Sequence, residues 1–365
     1  MKVFFDHQAF TLQNYGGISR YFCELITGIN AISEENAHLS ILWSNNVHLK
    51  EYNISALSYP FPKRHRLLSK TNSVYNIVDS KIGRYDLYHA TYFDNFLGNI
   101  SGSKPFITTF YDMTYERLSD QFTDLSNDQW IVSQKKKMAT QASHIIAISE
   151  NTKQDMVEIL GIDPKKISVI YLGSSFRQLD NNLPIRSVSN ASSYLLYVGN
   201  RYGYKNFIPF LRSVAHLVTR YEIDLVCAGG GAFTNEEQNI IKDLSLSKFV
   251  KNIFINDTIL QELYRGATAF VFPSLYEGFG IPVLEAFACD CPCILSENSS
   301  LPEVAGDAAL YIDPNNSESI STTVERVILD EGLRKEMIKK GRDRLSYFSW
   351  QRTVQETLAL YKKIV

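Results

Sequence analysis

The sequence predicts an α/β protein made of two doubly wound domains facing each other across a cleft. Three observations carry this expectation. Short β-rich apolar runs alternate with stretches of helical period along almost the whole chain. A polar segment without apolar periodicity interrupts the alternation near the middle. The chain has 365 residues, 45% of them hydrophobic, which is enough to bury two cores.

Taken in order, "KVFFD" (2–6) reads as the first strand. "GGISRYFCELITGINAI" then sets Ile18, Tyr21, Phe22, Leu25, Ile26 and Ile29 on one helical face, completing a βα unit. Further strands are expected at "LSILW" (39–43), "DLYHA" (86–90), "PFITTF" (105–110), "HIIAIS" (144–149) and "ISVIY" (167–171). Between the last two, "NTKQDMVEILG" is a helix with Asn151 as its cap and Gly161 as its stop. Helical connections of this kind join parallel strands. The stretch "RQLDNNLPIRSVSNASS" (177–193) reads as a linker, after which the alternation resumes with "SYLLYVG", "IDLVCAG", "NIFIND", "TAFVFP" and "CPCIL". Helical segments such as "EEQNIIKDLSL" and "LQELYRGA" separate these strands, and "WQRTVQETLALYKKIV" closes the chain as a helix with Val354, Leu358 and Tyr361 on one side. The expected boundaries are 1–180 for the first domain, 181–193 for the linker, 194–345 for the second domain and 346–365 for the terminal helix.

Charge narrows the partners. Lys+Arg of 37 against Asp+Glu of 39 gives a net charge of −2, so nothing draws the whole chain to nucleic acid. No apolar run approaches the ~18 residues of a membrane span, and Asp6 and His7 interrupt the apolar N-terminus before a signal-peptide core forms, so a cytoplasmic location is expected. Five cysteines without an export signal are expected to be reduced. The trio in "ACDCPCI" lacks zinc-knuckle spacing and a nearby histidine, and reads as small buried residues beside a strand rather than a metal site.

The chemistry concentrates at strand ends. In "YEGFGIPVLE" (276–285), Gly278 and Gly280 let backbone approach a bulky anion, Pro282 suits a first helical turn, and Glu277 and Glu285 flank the turn. Two such carboxylates suit hydroxyls at opposite ends of one polyhydroxylated ligand; two solvated glutamates around an ordinary turn are the competing reading. "YVGNRYGYKN" (197–206) puts Arg201 and Lys205 just past another strand, at reach of a diphosphate, and "NYGGISRY" (14–21) sets Gly16 and Gly17 before a helix, where unpaired amides point outward.

With these pieces, together with "ASHIIAISENTKQDMVEILGIDPKKISVIYLG" (142–173) and the closing "FSWQRTVQETLALY", the chain resembles retaining glycosyltransferases of family 4, with the GT-B fold of two Rossmann-like domains, and in particular mannosyltransferase-like enzymes of bacterial surface polysaccharide assembly. The resemblance implies that Glu277 touches the donor hexose and Glu285 the ribose. Arg201 and Lys205 would hold the diphosphate, with Gly199 at the strand end and backbone amides at Gly16, Gly17, Phe279 and Gly280. Ser149 would line the same cleft, Asn256 in "FINDT" would lie beside the nucleobase, and the terminal helix would cross back onto the first domain. The family usually has a histidine after the strand equivalent to "PFITTF"; here Tyr111 takes that position and Asp112 follows, with His89 as the other candidate. A second departure is that Arg201 lies two residues after Gly199, where many relatives have arginine directly after that glycine.

In the implied mechanism, cations and amides stabilise charge growing on the leaving phosphate, which takes the acceptor proton on the same face and so retains the anomeric configuration. No metal and no other cofactor is then required; the nucleotide-sugar is a co-substrate. The implied acceptor is a saccharide, lipid-linked and assembled at the cytosolic membrane face, with "PKRHRLLSK" (62–70) and "KKK" (135–137) as basic patches for a peripheral membrane contact. Residues 1–180 hold 18 basic and 18 acidic side chains, so these patches also read as ordinary solvated faces. Relatives with the "GGISRY" opening favour GDP-mannose or a related GDP-sugar, with UDP-sugars as the alternative. A nicotinamide oxidoreductase would need G-x-G-x-x-G after the first strand, which "FFDHQAFTLQNYGGISR" lacks. A non-catalytic nucleotide-sugar-binding protein remains the other rival, suggested by tyrosine at the histidine position.

Overall fold

The computed structural model describes residues 1–61, 64–93, 104–122, 125, 129–176 and 193–365. These fall into two compact units: Met1–Arg117, Leu125–Leu172 and Ser349–Val365 form one, and Leu118–Asp124 with Gly173–Phe348 the other. The stretch read as a linker lies, except for Ser193, outside the described residues.

The first unit holds six strands, β1 (Lys2–Phe5), β2 (Asn36–Leu39), β3 (Leu87–Ala90), β4 (Phe106–Phe110), β5 (His144–Ala147) and β6 (Ile167–Val169), in the order β2-β1-β3-β4-β5-β6. Every pairing is parallel. The four inner strands are almost wholly buried, which is why they read as continuous apolar runs rather than alternating ones. Helix Gly17–Asn30 buries Tyr21, Phe22, Leu25, Ile26 and Ile29, the periodic set of the sequence. Helix Glu150–Leu160 ends at Gly161 in the left-handed conformation, as expected, but its cap is Ser149, whose Oγ accepts the Thr152 amide at 3.0 Å, and not Asn151. The terminal helix Trp350–Ile364 belongs to this unit: Tyr361 is fully buried, and its hydroxyl meets His89 Nδ1 at 2.5 Å.

Strand β2 pairs three residues earlier than "LSILW" suggested. After the Ser40 amide closes the ladder on Phe5, the Leu42 and Trp43 amides are taken by the Asn72 side chain, so the chain leaves the sheet there.

The second unit repeats the architecture with β7 (Tyr194–Val198), β8 (Asp224–Ala228), β9 (Val250–Ile253), β10 (Ala269–Phe272), β11 (Cys293–Ser296) and β12 (Ala309–Ile312), all parallel, ordered β12-β11-β10-β7-β8-β9. Strand β9 ends before "ND", and β12 was not expected from the sequence. Helix Phe207–Arg220 turns Phe207, Phe210, Leu211, Val214, Leu217 and Val218 inward against β7 and β8. All five cysteines are free and buried, the Cys289 thiol pushed up to about 12 by desolvation. Among the described residues no helix is long and apolar enough to cross a membrane.

Candidate active site

In the second sheet the chain runs from β7 outward through β8 to β9, then returns to the other side of β7 with β10. Loops leaving the carboxyl ends of β7 and β10 therefore diverge from a switch point, the place where open α/β sheets leave a crevice for ligand. Two predicted residues meet there. Lys205 Nζ lies 2.7 Å from Glu277 Oε1, one from each loop. Both side chains are mostly buried, and Lys205 Nζ also sits 4.8 Å from the centre of the Tyr204 ring.

Local backbone chemistry holds this pair in place. The Tyr197 hydroxyl donates to the carbonyls of Asn200 and Lys205, tying the 3-10 turn Gly203–Lys205 to β7. The Leu275 amide reaches the Tyr204 carbonyl at 2.8 Å, which joins the two loops directly. Glu277 is pinned at both ends of its peptide: its amide donates to Ser299 Oγ and its carbonyl accepts from Ser300 Oγ, each at 2.9 Å. Gly280 then opens helix Ile281–Ala288 with φ +100°, and a Cβ there would stand 2.9 Å from Leu301 Cδ2, so the position demands glycine. Phe279 packs edge-on against Phe348 at 5.9 Å. Glu285 is buried one turn into the helix, its Oε2 3.5 Å from the Tyr264 hydroxyl.

Arg201 departs from its expected role. Its guanidinium turns away from Lys205 into the loop after β8: Nε donates to Glu237 Oε1 at 2.8 Å, Nη1 to the Gly229 carbonyl at 3.0 Å, and Nη2 to the carbonyls of Gly230, Gly231 and Ala232 at 3.0–3.4 Å. The three glycines all have positive φ, which turns their carbonyls inward on the cation. Glu237 is itself the N3 member of a capping box with Thr234. Arg201 is thus a buried staple between the loops of β7 and β8, where Gly199, at φ +108°, donates its amide to the Ala228 carbonyl. Asn256 is likewise engaged within its own loop: its side chain accepts the Ile259 amide at 2.9 Å and caps helix Asp257–Gly266.

In the first unit, Gly16 is extended and precedes Gly17 at the start of its helix, but the amides there are not all open, since Gln13 Oε1 accepts from the Ser19 amide at 3.3 Å. His89 is corrected from cleft candidate to core residue: it is fully buried, with Nδ1 on the Tyr361 hydroxyl and Nε2 2.9 Å from Thr109 Oγ1, and desolvation pulls its pKa from 6.5 to about 3. Tyr111 is buried with its hydroxyl donating to the Thr91 carbonyl at 3.3 Å. It shares a cavity of about 40 Å³ with Ile18, Asp112 and Lys135, so the family-histidine position and the glycine-loop helix do come together. Lys135 is the residue missed here. The sequence reading placed it in a surface patch, yet it is buried, its ammonium 2.8 Å from both the Asp112 carbonyl and Glu116 Oε2. Only Lys136 and Lys137 of that run are exposed.

Asp6 was also passed over. It directly follows β1, the strand at the switch point of the first sheet, and collects hydrogen bonds from the Gln8 amide, the Thr91 hydroxyl and amide and the Tyr88 hydroxyl. Burial outweighs those donors and raises its pKa from 3.8 to about 6. A carboxylate directly after the first apolar run was the signal available for it.

Comparison with known proteins accounts for nearly the whole chain. The family model described as Glycosyltransferase Family 4 matches residues 15–175, and that described as Glycosyl transferases group 1 matches residues 183–344. O-antigen chain mannosyltransferase B of Escherichia coli is 26% identical over 269 residues, 70% of this chain and 70% of its own. Among solved structures, sucrose-phosphate synthase of Thermosynechococcus elongatus matches with a TM-score of 0.77 at 17% identity, covering 100% of this chain and 98% of its own. Anabaena HepE, solved in complex with UDP and glucose, matches with a TM-score of 0.75 at 16% identity over 99% of each chain. At these identities the two structures speak to the fold, two Rossmann-like α/β domains of the GT-B class.

Proposed function

The chain belongs to the group 1 glycosyltransferases of family 4, and from that premise we propose that it moves a hexose, retaining anomeric configuration, from GDP-mannose or a related GDP-sugar to a lipid-linked saccharide in surface polysaccharide synthesis. The observation that supports this most directly is the Lys205–Glu277 pair at the β7/β10 switch point. A donor diphosphate entering there exchanges with Glu277 as the partner of Lys205, which frees the carboxylate to accept from a sugar hydroxyl. As the anomeric bond lengthens, the Lys205 ammonium and the amides opening helix Ile281–Ala288 meet the charge growing on the phosphate. With Arg201 committed elsewhere, Lys205 carries more of that work than the sequence suggested. The phosphate oxygen takes the acceptor proton, so no side-chain base is needed, and no metal enters the reaction. The mannosyltransferase name of the E. coli relative favours mannose.

The test is a thermal-shift and turnover screen with GDP, UDP, ADP and their sugars. A nucleotide present at 100 times its Kd adds about 2.7 kcal/mol of stability. The reading expects the largest shift and product only with GDP-mannose or a related GDP-sugar. A response confined to UDP-sugars overturns the donor assignment, and nucleotide binding without turnover on any sugar acceptor overturns the enzyme reading.

A further inference from the structure

Asp6 is buried just past β1, and none of the groups that donate to it is a cation. Its carboxyl accepts from the Gln8 amide and Gln8 Nε2, each at 3.0 Å, from the Thr91 hydroxyl, from the Thr91 amide at 3.3 Å and from the Tyr88 hydroxyl at 3.2 Å. A carboxylate buried among neutral donors loses more hydration than those bonds return, which is why its pKa climbs. A neutral side chain would serve the fold better at this strand end, so the charge is retained for what it holds.

Two arms lead from Asp6 around the switch point of the first sheet and meet again. On one arm the Gln8 amide, bound to Asp6, and the Ala9 amide, bound to Thr91 Oγ1 at 3.0 Å, fix the start of helix Gln8–Leu12. Gln13 follows that helix. Its Oε1 accepts the Ser19 amide, and a Cβ on Gly16 would stand 2.6 Å from it, so the glycine loop is seated on Gln13. On the other arm Thr91, held by Asp6 through both hydroxyl and amide, presents its carbonyl to the Tyr111 hydroxyl. The arms close where Ile18, the residue after the two glycines, shares a cavity with Tyr111. Every member of this circuit belongs to the first unit.

We infer that Asp6 is the positioning residue of this crevice: its ionised carboxylate holds the glycine loop and Tyr111 in mutual register without itself touching substrate. The register is a property of the fold; its service to turnover rests on the sugar-transfer reading. All five contacts are donors, so a proton added to the carboxyl must turn a hydroxyl round or break a tie. Burial sets that event near pH 6. The titratable groups packed around Asp6 do not share it: desolvation keeps His7 neutral down to about 4 and holds Tyr88 and Tyr111 well above 10. With its folded pKa above the unfolded 3.8, Asp6 gains stability from the proton, so the arms loosen while the chain stays folded.

The test is turnover of GDP-mannose with methyl α-mannoside as acceptor, read as GDP release from pH 5 to 8, with circular dichroism establishing that each variant is folded at each pH. Wild type is expected to lose rate on an acid limb centred near pH 6. Asp6→Asn, whose amide turns protons towards donors, should run up to about 10²-fold slower at pH 8 and show no such limb. Thr91→Val should be slowed to a similar extent, and Thr91→Ser, which keeps the hydroxyl, should recover most of the rate. An Asp6→Asn profile that keeps the wild-type limb, or Thr91→Ser no faster than Thr91→Val, overturns the proposal. Should wild type release no GDP, the donor assignment falls, and amide exchange followed by mass spectrometry decides on Asp6. Faster exchange at both 13–19 and 106–113 in Asp6→Asn and Thr91→Val, but not in Thr91→Ser, supports the register; a change confined to one of the two segments overturns it.

Discussion

Replacing Arg201 by alanine is expected to loosen the second unit itself, and not only to slow turnover. The guanidinium is buried and makes one charged contact, to Glu237, and four to carbonyls of the turn after β8. Its removal strands the mostly buried Glu237 carboxylate without its cation and leaves inward-turned carbonyls without donors. Breaking such a buried pair from one side costs about 3–5 kcal/mol. For a body of this size each kcal/mol lowers the melting midpoint by about 2–4 °C, so a fall of roughly 6–20 °C is expected. Adding Glu237→Gln should restore part of the loss, because the uncompensated charge goes with it, and the double variant should therefore fall short of the sum of the singles. The measurement is thermal unfolding followed by circular dichroism, with kcat/KM taken at a temperature where every variant is folded. Should the alanine variant melt within about 2 °C of wild type while losing 10²–10³ in rate, the guanidinium acts on the donor and the staple is wrong.

On the proposed reading Lys205→Ala is expected to lower kcat by about 10²–10³; unaltered turnover would remove Lys205 from the chemistry. His89, held neutral with its pKa near 3 against 6.5, resists protonation only while folded, so stability drains as pH falls from 6.5 towards 3, at about 1.4 kcal/mol per pH unit. His7, lowered to about 4, adds a slope of the same sign, and Asp6, raised to about 6, one of opposite sign between 3.8 and 6, so those neighbours largely offset each other. His89→Gln should flatten the acid limb of urea midpoints measured from pH 7 to 4, and parallel curves for variant and wild type would contradict the assignment. Turnover is expected to survive EDTA unchanged, and its loss on chelation would require a metal in the reaction.

The alternation of apolar runs and helical periods was legible because inner strands of parallel sheets bury both faces, so "SYLLYVG" or "TAFVFP" carries its assignment alone. Edge strands do not. β12 is only partly buried, and β2 is ended by Asn72, about thirty residues further on, whose grip on two amides no local pattern announces. The same division runs through the candidate site. Lys205 and Glu277 were each legible as candidates because each follows a strand flanking the switch point, but their contact was not, since the sequence reading set Lys205 beside Arg201 and Glu277 beside Glu285. The contacts of Arg201 were not legible because nearness to Lys205 in the chain says nothing about side-chain direction: the glycine turn that holds it comes after β8, and "CAGGGAF" looks like any glycine-rich loop until its carbonyls are seen converging. His89 and Lys135 failed for a related reason. Both carry polar groups that the fold pairs internally, His89 with a tyrosine 272 positions later, which single-sequence reading has no means to anticipate.

The first unit is assembled from stretches that synthesis delivers far apart in time. Its closing helix seats Val354 against Gly28, where even a Cβ would come within 2.5 Å, and delivers the Tyr361 hydroxyl to His89, yet all of Gly173–Phe348 emerges from the ribosome in between. The first unit therefore keeps an uncovered flank over the Gly28 face until Ser349–Val365 have been made, although the segment encoded between them folds as a separate body.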